Sequence, residues 1–256
     1  MVDVNGKTLA LELHGDGAPL VMVHGLGGTS NTFFPQAALF TRWFKLIRPD
    51  LEGSGRSPLN GSLSIERFAD DIIAVMDSVG ANEAHLVGHS MGTIICQHIA
   101  AKHSKRVKSL ALLGPLAEPP EPARAAIRAR AETARKDGMV GIADTLVNAG
   151  TSAETKAHRP SAAAFVREIL MRQSAEGYAA TCEALAAAKA ADATKITCPT
   201  LLITGDEDAT SPPPAVQRLA HSIKGSKMVV LNGCGHWTPI EKPAEVNAAL
   251  VNFYFG

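Results

Sequence analysis

Five short runs in this chain are almost wholly apolar instead of alternating: LVMV at 20–23, HLV at 85–87, SLALL at 109–113, TLLIT at 200–204 and MVVL at 228–231. A strand with one wet face alternates polar and apolar residues, so an unbroken apolar run needs cover on both faces. That requirement points to a parallel sheet sandwiched between helices. Further strands are expected at 8–13 and 45–48, with 2–4 a candidate for one more. The runs at 2–4 and 8–13, joined through Asn5-Gly6, read as an antiparallel hairpin at an edge. Between 45–48 and 84–87 the period changes to that of a helix. Ser64 can cap it, Ile65, Phe68, Ala69, Ile72, Val75, Met76 and Val79 recur at three- and four-residue spacing, and Gly80 is placed to end it.

Strand–helix alternation stops between about residues 116 and 198. The stretch opens on Glu118-Pro119-Pro120-Glu121-Pro122 and continues in Ala-rich helical segments near 123–137, 139–149, 161–173 and 175–188. About eighty residues of helix between two buried strands exceed what a crossover needs. The expected organisation is therefore a core domain from 1–115 and 199–256, with a helical cap at 116–198 inserted after the sixth strand. A chain of 256 residues suits this plan.

Charge and leader sequences narrow the partners. With 25 basic and 25 acidic residues and no long Lys/Arg run, neither nucleic acid nor an anionic membrane surface is an expected partner. The opening MVDVNGKTLALELHGDG lacks the basic and apolar regions of a signal peptide, and no apolar stretch is long enough to span a bilayer. The expectation is a cytoplasmic protein. The four cysteines, Cys96, Cys182, Cys198 and Cys234, form no C-x-x-C pair and suggest neither zinc site nor disulfide framework. Cys96 reads as a small buried hydrophobe.

The run HLV leads straight into Gly88-His89-Ser90-Met91-Gly92 and then a helical pattern. A serine at such a strand-to-helix turn is lifted clear of the backbone as in a nucleophile elbow, with glycines where neighbouring chains leave no room for a Cβ. It also faces the amide groups of a helix N-terminus, which favour a developing anion. At neutral pH a serine is a poor nucleophile, so it needs a base and a third group to orient that base.

Both partners are expected on loops after later strands. His236 follows the last strand in a tight Gly235-His236 turn, and it is the best base among nine histidines. His24 and His89 sit inside glycine motifs, where pinning loops by hydrogen bonds is the expected role. His14, His85, His98, His103, His158 and His221 read as surface or packing residues. After TLLIT come Asp206, Glu207 and Asp208; Asp208 is preferred because it lies further from the strand's end, where the loop can bend toward His236. An oxyanion needs two backbone donors. Met91 N–H is the first, and Leu26 N–H in His24-Gly25-Leu26-Gly27-Gly28 the second, with Gly27 behind it.

Taken in order, HGLGG, Asp50-Leu51-Glu52-Gly53-Ser54-Gly55-Arg56-Ser57, GHSMG, GDEDATSP and GCGHWTPIEKP resemble the α/β-hydrolase fold superfamily across nearly the whole chain, most of the cap excepted. The resemblance implies an eight-stranded mostly parallel sheet flanked by helices, a cap after the sixth strand, Ser90, Asp208 and His236 as catalytic triad, and neither metal nor organic cofactor. It makes 50–57 a structural turn, so Asp50 is not a catalytic candidate. Some relatives carry their acid after the preceding strand, where this chain reads Gly114-Pro115-Leu116.

Within the superfamily the chain is similar to 3-oxoadipate enol-lactonases, through its length and the run EGYAATCEAL at 176–185. It departs at Glu52-Gly53-Ser54, where those enzymes more often carry Arg-Gly-His, and an extra acid there suits a neutral ester or lactone better than an anionic one. The implied activity is hydrolysis of a carboxylic ester or lactone by a serine enzyme acting on a small molecule. Carbon–carbon bond hydrolysis, acyl transfer, cofactor-free perhydrolysis and ligand reception are the alternatives on the same residues. Phe165, Met171 and Tyr178 are candidates either for pocket lining or for the cap's helix–helix core.

Overall fold

The computed structural model describes residues 1–256. The strands are β1 (Val2–Val4), β2 (Lys7–Leu9), β3 (Leu11–His14), β4 (Ala18–Val23), β5 (Phe44–Pro49), β6 (Ala84–His89), β7 (Val107–Leu113), β8 (Thr200–Gly205) and β9 (Lys227–Leu231). Seven of them form one sheet in the order β3-β5-β4-β6-β7-β8-β9, parallel throughout except for β3, which runs antiparallel along β5. The flanking helices are α1 (Phe34–Phe40), α2 (Ile65–Ser78), α3 (Met91–Lys102), α4 (Glu121–Asp137), α5 (Val140–Gly150), α6 (Ala153–His158), α7 (Pro160–Met171), α8 (Ala175–Ala187), α9 (Pro213–Ser222), α10 (Thr238–Glu241) and α11 (Pro243–Phe255). Of these, α4–α8 lie between β7 and β8.

The sheet is mostly parallel and flanked by helices as expected, but it has seven strands where eight were expected, and the difference lies at the N-terminus. The run at 8–13 is broken at Ala10, whose N–H donates to Ser57 Oγ at 2.8 Å and whose carbonyl accepts from Asp50 N at 2.9 Å. With its polar groups committed to the 50–57 turn, Ala10 leaves the ladder. Upstream, β2 pairs only with β1 in a separate two-stranded sheet; downstream, β3 becomes the main sheet's edge. A buried cation holds the small hairpin down, Lys7 Nζ pairing with Glu52 and, at 2.7 Å, with Asp71 Oδ2.

The unbroken apolar runs work as the two-face argument requires. Val21, Val23, Leu86, Leu110, Leu112 and Leu202 pack on one face with α2, α3 and α9, while Leu20, Met22, Val87, Ala111, Leu113, Leu201 and Ile203 pack on the other with α1 and α11. Helix α2 starts where Ser64 Oγ accepts the Arg67 N–H at 3.2 Å, and Gly80, at φ +72°, follows its last turn. A third cluster joins Ala143, Val166, Ile169 and Leu170 of α5 and α7 to Trp237 and Ile240, which follow β9. No helix is long and apolar enough to cross a membrane.

Candidate active site

Strand order fixes where a site can form. From β4 the chain moves to β5 on one side of the sheet and then returns to β6 on the other. Loops leaving β4 and β6 therefore diverge, and the crevice between them at the carboxyl ends of the strands is where ligands bind in such sheets. Gly25 follows β4 at that crevice and Ser90 follows β6, so close that a Cβ on Gly25 would stand 2.6 Å from the Ser90 Cβ.

Ser90 is held in a conformation that few side-chain-bearing residues adopt, φ +53° and ψ −122°. The turn is tight enough that a Cβ on Gly88 would lie 2.5 Å from the Gly92 carbonyl oxygen, and one on Gly92 would collide with the Val23 carbonyl. Ser90 N–H is tied to Leu113 O at 2.9 Å, which anchors the elbow to β7. Its side chain makes no capping bond to α3 and is free to turn outward.

The outward hydroxyl meets His236, with Ser90 Oγ 2.8 Å from His236 Nε2. On the other side of the ring, His236 Nδ1 lies 2.8 Å from Asp208 Oδ2 and 3.0 Å from Oδ1. A carboxylate only accepts, so Nδ1 carries the proton and Nε2 is left to accept from the serine. Asp208 is itself fixed, because its Oδ1 accepts from the backbone of Thr210 at 2.9 Å and Ser211 at 2.8 Å. Asp206 and Glu207 are exposed and engaged elsewhere, with Cys234 N and Ala153 N respectively. Gly114, where some relatives would carry the acid, lies so close to the His236 ring that a Cβ would stand 3.1 Å from it.

Burial sets the electrostatics. Burial alone would lower the His236 pKa, but the charge and hydrogen bond of Asp208, with a further push from Glu241, raise it above the ordinary imidazole value. Burial opposes ionisation of Asp208, and the His236 ring and the Ser211 and Thr210 amides outweigh it, holding the carboxyl below its usual range. His89 is pushed down to about 3 by burial and by the neighbouring His236. It is thus a neutral ring at ordinary pH, and its Nε2 donates to the His236 carbonyl at 2.9 Å. His24 is likewise lowered by burial; its Nδ1 donates to Gly25 O and its Nε2 accepts from Leu51 N, both at 2.9 Å.

Leu26 occupies the first central position of a turn closed by the Gly28 N–H to Gly25 O bond of 3.0 Å, with Gly27 at φ +72° in the second. This is the pattern of a type II turn, which leaves the Leu26 N–H free of the turn's own bond. Met91 opens α3, where first-turn amides lack intrahelical acceptors. A hydroxyl, a ring base with its carboxylate, and two free amides on adjoining loops can together attack a carbonyl and hold the oxyanion that results.

Several other residues fall differently. Asp50 binds Ser30 N at 2.7 Å and Arg56 N at 3.1 Å, tying two loops together. Glu52 is buried in its pair with Lys7 and accepts from Asn60 N at 2.8 Å. Its charge is spent there, so it gives no reason to prefer a neutral substrate. Tyr178 is buried in the main core, Met171 packs with the third cluster, and Phe165 also edges an open cleft of about 440 Å³ beside Arg56 and Arg172. That cleft includes neither Ser90 nor His236.

Sequence reasoning missed Gln173 and Glu241. Gln173 Nε2 donates to the carbonyls of Gly27 at 3.2 Å and Gly28 at 3.3 Å, holding the Leu26 turn from the end of α7. Glu241 accepts four hydrogen bonds around the His236 loop. Only its place five residues after His236 could have drawn attention to it.

The model of the Alpha/beta hydrolase family matches residues 20–249. A methyl ester esterase acting on pimeloyl-[acyl-carrier protein], from Neisseria meningitidis, is 30% identical over 248 residues, covering 90% of each chain. The (E)-2-((N-methylformamido)methylene)succinate hydrolase of Acinetobacter baylyi is 28% identical over 250 residues, covering 96% of this chain and 94% of that protein. Among solved structures, the enol-lactonase from Burkholderia xenovorans LB400 superposes with a TM-score of 0.93 at 30% identity, covering 99% of this chain and 98% of that one.

Proposed function

The chain belongs to the alpha/beta hydrolase family, and on that premise we propose that it hydrolyses a carboxylic ester or lactone of a small molecule through an acyl-enzyme on Ser90. The observation that carries this reading is the unbroken line from Ser90 Oγ through His236 to Asp208, with both hydrogen bonds at 2.8 Å. As Ser90 Oγ forms a bond to the carbonyl carbon, its proton passes to His236 Nε2. Asp208 stabilises the imidazolium, and the Leu26 and Met91 amides receive the oxyanion. Collapse breaks the bond to the leaving alkoxide, which takes the proton from His236. Water then gives a proton to His236 and attacks the acyl carbon, releasing the carboxylic acid and restoring Ser90. In this reading α4–α8 are a cap over the carboxyl ends of the strands.

The reading is tested by multiple turnover on a panel of esters and lactones, with intact-protein mass spectrometry of the trapped intermediate. The expected adduct is one acyl group, mapping to Ser90. Binding of panel compounds without turnover would favour a receptor instead.

The oxyanion assignment is testable with a backbone change. Proline suits the first central position of a type II turn and has no N–H, so Leu26→Pro removes the donor while keeping the turn. The expected loss in kcat is on the order of 10²- to 10³-fold with a retained fold, as for removal of one oxyanion donor. A folded Leu26→Pro protein with full kcat would return the role to Gly27.

A further inference from the structure

We infer that Glu241 is a positioning residue for His236, clamping the loop that carries the base to the first turn of α6. This rests on the proposed role of His236 as base. The side chain is fully buried, and its oxygens are taken up on two sides. On the loop side, Glu241 Oε1 accepts from Trp237 N at 3.0 Å and Oε2 from Gly235 N at 3.1 Å, the residues immediately flanking His236. On the helical side, Oε2 accepts from Ser152 N at 2.8 Å and from Thr155 Oγ1 at 2.9 Å.

The backbone of His236 is bound in the same sense. Its N–H donates to Gly150 O, at the end of α5, at 2.8 Å, and its carbonyl accepts from His89 at 2.9 Å. The loop therefore has its polar groups fixed from β6, from α10 and from the inserted helices. Trp237 completes the junction by packing into the core shared by α5 and α7. All of it bears on where the imidazole sits. A displacement of the order of 1 Å in a catalytic group costs about 100-fold in rate, so a buried four-bond clamp beside the base has a kinetic consequence.

Glu241 also bears on the charge at His236. The titratable groups facing that ring are Asp208 from the loop after β8 and His89 from the end of β6, which is neutral; Glu241 of α10 acts on it by its charge, from behind the loop. Two cations lie nearby: Lys242 Nζ pairs with Glu154 at 2.7 Å, and Arg159 Nη1 donates to the backbone oxygen of Glu241, not to its carboxylate, at 2.6 Å. The Glu241 charge adds to that of Asp208 in raising the His236 pKa.

The test compares wild type, Glu241→Gln, Glu241→Asp and Ser90→Ala in the full chain, using p-nitrophenyl acetate and the pH profile of kcat/KM. A glutamine must aim its NH2 at a backbone N–H, so the clamp cannot close. Glu241→Gln is expected to lose on the order of 10- to 100-fold in kcat with little change in KM, and its acid limb moves to lower pH because one negative charge has left the ring's surroundings. Glu241→Asp keeps the charge but cannot reach both sides, so kcat falls and the limb stays. A merely stabilising residue would lower activity only with the folded fraction, leaving kcat per folded molecule at the wild-type value. Folded Glu241→Gln with wild-type kcat overturns the inference, whatever its acid limb does. Where Glu241→Gln does not fold, wild-type kcat in Glu241→Asp overturns it. Activity surviving in Ser90→Ala overturns the functional reading itself, a result separable from either.

Discussion

Ser90→Ala is expected to lower kcat by roughly 10⁶-fold on any ester or lactone the protein turns over, leaving only the acceleration supplied by binding and the oxyanion donors. The reason lies in the absence of any substitute. Asp208 and Glu241, the carboxylates near the site, are locked by backbone amides, so neither can take over the attack. The Cys234 and Cys96 thiols are driven far up by burial and stay protonated. The variant should also fold normally. Alanine keeps the Cβ that the elbow already accommodates at φ +53°, and Ser90 contributes no cap to α3. What is lost inside the protein is the 2.8 Å bond to His236 Nε2. Melting by circular dichroism should therefore stay close to wild type while turnover vanishes. Retained turnover in a folded Ser90→Ala protein would remove the nucleophile from the mechanism, and with it the acyl-enzyme.

Residues whose roles come from short-range sterics and periodicity were legible in the sequence. Gly88 and Gly92 announce a turn with no room for side chains, and the apolar runs announce a sheet covered on both faces, because those constraints act within a few residues. What was not legible depends on partners far along the chain. Nothing near Ala10 says that Ser57 and Asp50 will take its backbone bonds and cut the expected strand in two. Glu52 reads as an acid near an anion site until Lys7, 45 positions away, is seen to neutralise it. Glu241 is similar, an acid between Ile240 and Lys242 whose burial is set by amides from 152, 235 and 237. Tyr178 had two readings because a single aromatic on an Ala-rich helix has no local signal for which neighbour it will meet.

Asp208→Asn carries the second large effect, and the surroundings of the side chain say why a near-isosteric change should be so damaging. Oδ1 faces two donors that cannot turn away, the Thr210 and Ser211 amides at 2.9 and 2.8 Å. An asparagine must present its oxygen to them, which points its NH2 at the imidazole. Facing a donor, His236 Nδ1 has to accept, and the ring proton moves to Nε2, where it meets the Ser90 hydroxyl. The base is then in the wrong tautomer, and kcat/KM should fall about 10⁴-fold with the fold intact. The pH profile gives an independent sign. In the proposed mechanism activity needs neutral His236 and is lost as pH falls through its pKa, which Asp208 holds above the ordinary imidazole value. Removing that charge must carry the acid limb of the residual activity to lower pH. A folded Asp208→Asn protein with undiminished kcat/KM and an unmoved limb would mean that another group orients the base. Glu241, the other carboxylate acting on that ring, would then be the residue to test.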